Sequence, residues 1–143
     1  MKQTYKASYI DASTEPAYPF GYGLSYTDFG YSDLKLLPGK AAGVHTEVSV
    51  KVTNTGKCAG EEVVQLYVQD KVASVTRPIK ELKGFRKIHL NAGESKTVVF
   101  QITDDALGFY DNEMNYMVEP GDFVFMVGGS SDDVQQITYN LEE

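Results

Sequence analysis

The chain has 143 residues, 42% of them hydrophobic, which fits one domain plus a tail with a core that needs no disulfide or metal. Its formal net charge of −7 argues against nucleic acid or an anionic membrane surface as a partner. The single cysteine, Cys58, excludes an internal disulfide, and no stretch approaches the ~20 apolar residues of a membrane span.

The N-terminal part divides into a polar lead-in and an aromatic strap. Residues 1–17 lack the apolar segment of a signal peptide and are predicted to be extended. The run 18–27 then carries four aromatic residues, two glycines and a proline. Each buried ring would contribute roughly 150–250 Å² of contact, so the strap is predicted to dock on a surface. The predicted contact residues are Tyr18, Phe20, Tyr22, Leu24, Tyr26 and Phe29.

Strands begin after the strap, so we divide the chain into a lead-in and strap at 1–30 and a strand domain at 31–143. Alternation of apolar and polar residues predicts the first strands at 31–36, 47–53 and 62–70. In the second of these the three valines are predicted to face the core, and Glu47 and Ser49 the solvent. In the third the even-numbered apolar residues face inward and Gln65 outward.

The second half of the chain continues the pattern after a loop at 71–78. The further strands are predicted at 82–90, 96–103, 108–110, 115–118, 123–127 and 135–141. Leu82, Ile88 and Leu90 are predicted to share one face and Phe85 to lie on the other, and Gly84 is expected to mark a bulge that resets the register. Because no amphipathic helix of three turns is visible, the fold class is predicted to be an all-β sandwich of seven to eight strands.

Six ordered motifs carry a resemblance to a known family. They lie at 19–29, 50–68, 72–85, 90–103, 107–111 and 118–131. In that order the chain closely resembles the C-terminal fibronectin type III-like domain of glycoside hydrolase family 3, over roughly residues 9–134. The resemblance implies an immunoglobulin-like sandwich with an extended N-terminal strap.

The same resemblance implies a function that depends on other domains. Family 3 enzymes of this kind, β-glucosidases and β-xylosidases among them, carry their nucleophile and acid/base residues on two preceding domains. Neither residue has a counterpart here, so no catalytic, cofactor or metal residue is predicted. The expected role is that of a structural accessory domain whose partners are the catalytic domains of the same parent chain. Such parents are more often periplasmic or secreted than cytoplasmic.

The acidic pairs are candidate catalytic groups, because glycoside hydrolysis requires two converging carboxylates. Glu61 and Glu62 are neighbours on a strand and are predicted to point to opposite faces. The pairs at 104–105, 132–133 and 142–143 are expected at a helix start or in solvent-rich segments. His45 and His89 lie in different elements and complete no metal set.

Two alternative functions remain open: a carbohydrate-binding or surface-anchoring module, and a stand-alone adhesion-type domain. Arg77, in the loop at 71–78, is a further predicted interdomain contact, and its replacement by alanine should lower the thermal midpoint of the full-length enzyme. Without its partner domains the strap is expected to fold back on the sandwich, to bind a second copy of the chain, or to be disordered.

Overall fold

A computed structural model describes residues 16–71 and 80–142. Strands account for nearly all of the regular structure in those residues. The elements are β1 (Phe29–Pro38), β2 (Val44–Asn54), β3 (Gly60–Asp70), β4 (Glu81–Leu90), β5 (Ser95–Thr103), α1 (Asp104–Leu107), β6 (Phe109–Tyr110), β7 (Tyr116–Met117), β8 (Gly121–Gly128) and β9 (Val134–Leu141).

The strands form two main sheets and one small hairpin. The first sheet has the order β1-β2-β5, the second has the order β4-β3-β8-β9, and β6 pairs with β7. Every pairing is antiparallel. The two sheets enclose one apolar core, so the predicted all-β sandwich is confirmed.

The core consists of the inward-facing residues of both sheets. The valines at 48, 50 and 52 are completely buried, as their period of two predicts. They meet Phe123, Phe125 and Val127 of β8 in the same cluster. The alternate residues of β8, Val124 and Met126, are buried on the other side of the sheet. β8 is therefore covered on both faces.

The predicted solvent exposure of Glu47 and Ser49 is wrong, because both are nearly inaccessible to solvent, and Gln65, which faces outward as predicted, is buried as well. Glu47 and Ser49 lie on the central strand of the first sheet, where β1 and β5 flank them on both sides. Lys40 approaches the Glu47 carboxylate to 3.7 Å. Gln65 is buried because the strap passes over it, a tertiary contact that strand periodicity does not reveal.

The predicted bulge at Gly84 is present. Leu66 pairs with Gly84, but the next residue, Tyr67, pairs with Leu82. The extra residue on β4 shifts the register, as a bulge does. Phe85 faces away from the core, as predicted, and is 67% exposed. Leu82 pairs with Tyr67 and lies on the same outward face, so the prediction that it shares a face with Ile88 and Leu90 is wrong.

The sandwich has two ends, which we call upper and lower. At the upper end, β2 and β4 finish side by side, and the Asn54 amide donates to the Leu90 carbonyl over 3.0 Å. At the lower end, β5 runs into α1 and the β6–β7 hairpin, and β8 begins. The segments that flank residues 72–79 also meet this lower end, since β3 finishes and β4 starts there.

Candidate functional site

The strap lies against the outer face of the four-stranded sheet, and its first anchor is a backbone hydrogen bond. The Ser131 N–H donates to the Phe20 carbonyl over 2.8 Å. The Phe20 ring lines a shallow depression together with Tyr67 and Leu82. Residues 16–28 therefore take the first of the three predicted alternatives and fold back on the sandwich.

The strap runs antiparallel to β3, toward the upper end. Gly21 has a φ of +81° and lies so close to Gln65 that a Cβ atom would overlap its side-chain amide. Further along, Thr27 lies against Gly60, the first residue of β3. Because only glycine fits at position 21, the close approach of the strap to the sheet is specified by sequence.

A buried asparagine fastens the C-terminal end of the strap. The Asn54 carbonyl oxygen Oδ1 accepts hydrogen bonds from the Thr27 hydroxyl over 2.6 Å and from the Gly56 N–H over 3.1 Å. Its Nδ2 donates to the carbonyls of Cys58 and Leu90 over 2.8 and 3.0 Å. We call these five residues the Asn54 clasp. It satisfies the polar groups of a side chain that has no contact with solvent.

Gly56 is expected to be essential to the clasp. A Cβ atom there would overlap the Thr27 hydroxyl, so Gly56→Ala should displace the strap. The Thr55 N–H, which donates to the Asp28 carbonyl over 2.8 Å, should then exchange with deuterium faster. Gly23→Ala is the matched control, since a Cβ there meets nothing within 4 Å. Equal exchange at Thr55 in both variants would contradict the prediction.

The strap is held by its backbone and by Thr27, while five of its apolar side chains are at least half exposed. The exposed fractions are 70% for Tyr18, 66% for Phe20, 50% for Tyr22, 91% for Leu24 and 101% for Tyr26. Phe29 differs from these, because it packs partly against the protein's own core. The ring centroids of Tyr18 and Tyr22 are 5.1 Å apart.

Strand β4 extends the exposed apolar surface beside the strap. Phe85 and Leu82 lie on its outward face, and Leu82 contributes to the depression under Phe20. We call the five exposed strap side chains, together with Phe85, the docking face. Exposed apolar groups that adjoin one another are typical of surfaces that bind a partner.

The Arg77 prediction falls outside the described residues, as does most of the loop at 71–78. The flanking residues are described. The Lys71 N–H donates to the Asp122 carbonyl over 3.0 Å, and the Lys80 ammonium donates to the Ser131 carbonyl. Ser131 also binds the strap at Phe20. Lys80, the first described residue after this loop, therefore lies next to the first anchor of the strap.

An open groove of about 570 Å³ separates the strap from the edge of the sandwich. Inside it the Tyr31 hydroxyl donates to the Glu62 carboxylate over 2.6 Å, which joins the two sheets. Burial raises the pKa of Glu62, with a further contribution from the nearby Asp133 charge, against the Tyr31 hydrogen bond that lowers it. Burial also raises the pKa of Tyr31.

The Glu62 carboxyl predicts a pH dependence of stability. Because its folded pKa lies above its unfolded value, its stabilising contribution is complete below about pH 4.3 and is lost as the pH rises through the folded pKa. Glu62→Gln keeps an acceptor for Tyr31 and should therefore lessen this loss. Urea unfolding from about pH 4 to pH 7 measures the effect.

Glu61→Gln is the control for this pH series. The Lys87 ammonium lies 2.6 Å from the Glu61 carboxylate and lowers its pKa. Its contribution is therefore present at neutral pH and is lost as the pH falls, which is the opposite sign. If both variants changed the profile in the same direction, the interpretation of Glu62 would be wrong.

The acidic neighbours Glu61 and Glu62 diverge, as predicted. One pairs with Lys87 of β4 and the other with Tyr31 of β1. Across residues 16–71 and 80–142, no three histidine, cysteine or carboxylate side chains are grouped to hold a metal ion. None of the helices in that part of the chain is long and apolar enough to span a membrane.

Sequence reasoning found the strap but missed what fastens it. The sequence of segment 54–57 predicts only a turn. In the structure the Asn54 side chain is hydrogen-bonded to Thr27 of the strap and to Leu90 of β4. A signal was present in Gly56 and Gly60, because both approach Thr27 too closely for any side chain. Two glycines around a turn do not by themselves identify the segment that they contact.

Comparison with known proteins agrees with this architecture. Residues 62–131 match the family model described as a fibronectin type III-like domain. A periplasmic β-glucosidase of Salmonella typhimurium is 48% identical over 138 residues, which are 96% of this chain and 18% of that protein.

Two solved structures show the same fold. The β-glucosidase of Listeria innocua in complex with glucose superposes with a TM-score of 0.87 at 41% identity, over 99% of this chain and 20% of that one. The GH3 β-glucosidase of Bifidobacterium adolescentis gives a TM-score of 0.80 at 37% identity, over 87% and 18% of the two chains. This chain thus spans about a fifth of the proteins that it matches. It belongs to the fibronectin type III-like domains of family 3 glycoside hydrolases.

Proposed function

We propose that this chain is an accessory domain that cleaves no bond itself and braces the catalytic part of a larger glycosidase. The parent enzyme would hydrolyse terminal β-linked sugars, as the names of its relatives indicate. The docking face would bind the catalytic domains. The chain covers only about a fifth of those relatives, which leaves most of their length for such domains.

The observation that carries the proposal is the contrast between the fixed backbone of the strap and its exposed side chains. The clasp and the Phe20–Ser131 bond hold the strap in place, yet Tyr18 and Phe20 are about two-thirds exposed. Rings held in position lose little further conformational freedom when a partner covers them. This arrangement favours docking over a flexible linker.

The acidic residues support the non-catalytic part of the proposal. Retaining hydrolysis needs two carboxylates about 5–5.5 Å apart around a sugar-sized cleft. Glu61 and Glu62 instead have separate partners on opposite faces of β3. A glycosidase assay on the purified chain should show no turnover, and measurable turnover would overturn this part.

The docking role is tested in the full-length protein that contains this chain. The double variant Phe20→Ser, Tyr26→Ser should lower the thermal midpoint of the parent while leaving that of the isolated chain nearly unchanged. Lys51→Ala, exposed on the other sheet, is the control. An unchanged parent midpoint in the double variant would contradict the proposal. Arg77→Ala remains a predicted contact variant, with the same expected loss.

The groove beside the strap favours a second candidate function, sugar binding. Its walls include the rings of Tyr22 and Tyr31 and the carboxyl groups of Glu62 and Asp133, which can stack on and hydrogen-bond to a sugar. Titration with oligosaccharides and pull-down on insoluble glucans test this directly. Binding that is lost in Tyr22→Ala would support the sugar-binding module over the structural brace.

We also propose that the parent enzyme is exported, on the strength of the relative named a periplasmic β-glucosidase. Fractionation of the native cells, with activity measured in each fraction, tests this. Activity confined to the cytoplasm would contradict it.

A further inference from the structure

The β6–β7 hairpin exposes a second apolar surface, separate from the docking face. Its rings and thioethers are Tyr110 at 61% exposed, Met114 at 76%, Tyr116 at 45% and Met117 at 37%. At the lower end of the sandwich, Tyr110 and Tyr116 lie directly opposite each other on one face of the hairpin, whereas Met117 lies opposite the buried Phe109. Met114 lies in the turn between the two strands. Four large apolar side chains on so small an element exceed what a solvated turn needs.

Hydrogen bonds and a ring contact hold the hairpin in one conformation, so its exposed side chains have defined positions. The Asp111 carboxylate accepts the N–H groups of Glu113 and Asn115 over 2.8 and 2.9 Å. The Tyr116 hydroxyl donates to the Asp104 carbonyl over 3.0 Å. The rings of Tyr110 and Tyr116 meet edge to face at 5.1 Å. The surface is therefore formed before any partner arrives.

The hairpin lies in a part of the sequence that carries acidic but no basic residues. Residues 97–143 contain ten aspartates and glutamates and no lysine, arginine or histidine. Of the acids near the hairpin, Asp104 pairs with His45 of β2 over 2.6 Å. Asp105 in α1 and Glu113 in the turn of the hairpin are both exposed. An apolar centre with an acidic rim fits a surface that carries lysine or arginine around apolar residues.

The position of the hairpin indicates where that surface lies. The strap runs from Phe20, near the lower end of β3, to Thr27 at the upper end. The described part of the strap therefore begins on the lower half of the sandwich, and the hairpin lies at the same lower end. About four-fifths of the relatives' length lies outside the part that this chain matches.

We propose that the β6–β7 hairpin is a second docking site, which binds a basic and apolar surface on another domain of the same parent chain. The inference rests on the proposed function, because it requires that parent. It assigns the partner chemistry by complementarity: apolar residues opposite Tyr110, Met114 and Tyr116, and lysine or arginine opposite Asp105 and Glu113.

Methionine oxidation by hydrogen peroxide tests the site, because Met114 is exposed and Met126 is buried in the same chain. In the isolated chain Met114 should be oxidised much faster than Met126. In the full-length protein the Met114 rate should fall several-fold, with the Met126 rate unchanged. The double variant Asp105→Lys, Glu113→Lys should restore much of the Met114 rate in the parent, since it removes the charge complementarity.

Nitration of Tyr26 in the same samples separates this inference from the proposed function. Protection of Tyr26 with an unprotected Met114 would overturn the hairpin site and leave the docking face standing. Protection of neither would overturn both. Protection of Met114 that appears in the isolated chain as its concentration rises would assign the hairpin to a second copy, and would also overturn the inference.

Discussion

Replacing Asn54 with alanine is expected to lower the free energy of unfolding by about 3 kcal/mol or more. The change removes the acceptor of the Thr27 hydroxyl and the Gly56 N–H, and the donor to the carbonyls of Cys58 and Leu90. Each buried polar group left without a partner costs about 1–3 kcal/mol. Urea unfolding of the purified variant measures the loss.

The matched control is Asn140→Ala. Asn140 also donates from its side-chain amide, to the Asp122 carboxylate over 2.8 Å, but it does so at the surface. Its replacement should change stability by no more than about 0.5 kcal/mol. If the two variants lost equal stability, the clasp would contribute nothing beyond an ordinary surface hydrogen bond.

Replacing Phe125 with alanine is expected to destabilise the domain by about 3–5 kcal/mol. Phe125 is completely buried at the centre of β8, and its ring stacks on Tyr139 with centroids 5.9 Å apart. The truncation removes a large apolar side chain from a closely packed core and leaves a cavity that the two sheets cannot close. Thermal or urea unfolding measures the loss.

Phe85→Ala provides the comparison, since it removes the same side chain from the exposed face of β4. In the isolated chain it should cost no more than about 0.5 kcal/mol. In the full-length protein it should lower the thermal midpoint, because the docking face includes Phe85. A large loss in the isolated chain would show that Phe85 supports the core rather than a partner.

Most of the strand pattern could be predicted because the sandwich is built from local alternation. In β2 and β3 every second residue enters the core, so hydrophobic period alone places them. The bulge at Gly84 was also predictable, because the apolar residues on either side change phase. Both features depend on residues close together in the sequence, so the local pattern of apolar and polar residues is enough to predict them.

Gln65 is polar and alternates correctly, yet the strap covers it from 44 residues away. Phe29 was grouped with the strap rings, but it begins β1 and so meets the core. Such burial depends on where a distant segment of the chain passes. The periodicity of a strand's own residues does not indicate that position.

The order of attachments along the strap has a mechanical consequence. A pull on the preceding chain, for example as joined domains move against one another, would first peel away Phe20 and its single backbone bond to Ser131. The load would then stop at Thr27, before it reached β1, which is an edge strand held by β2 alone among its sheet neighbours. The clasp therefore bears the load, so the leading segment can detach and bind again while the hydrogen bonds between β1 and β2 stay intact.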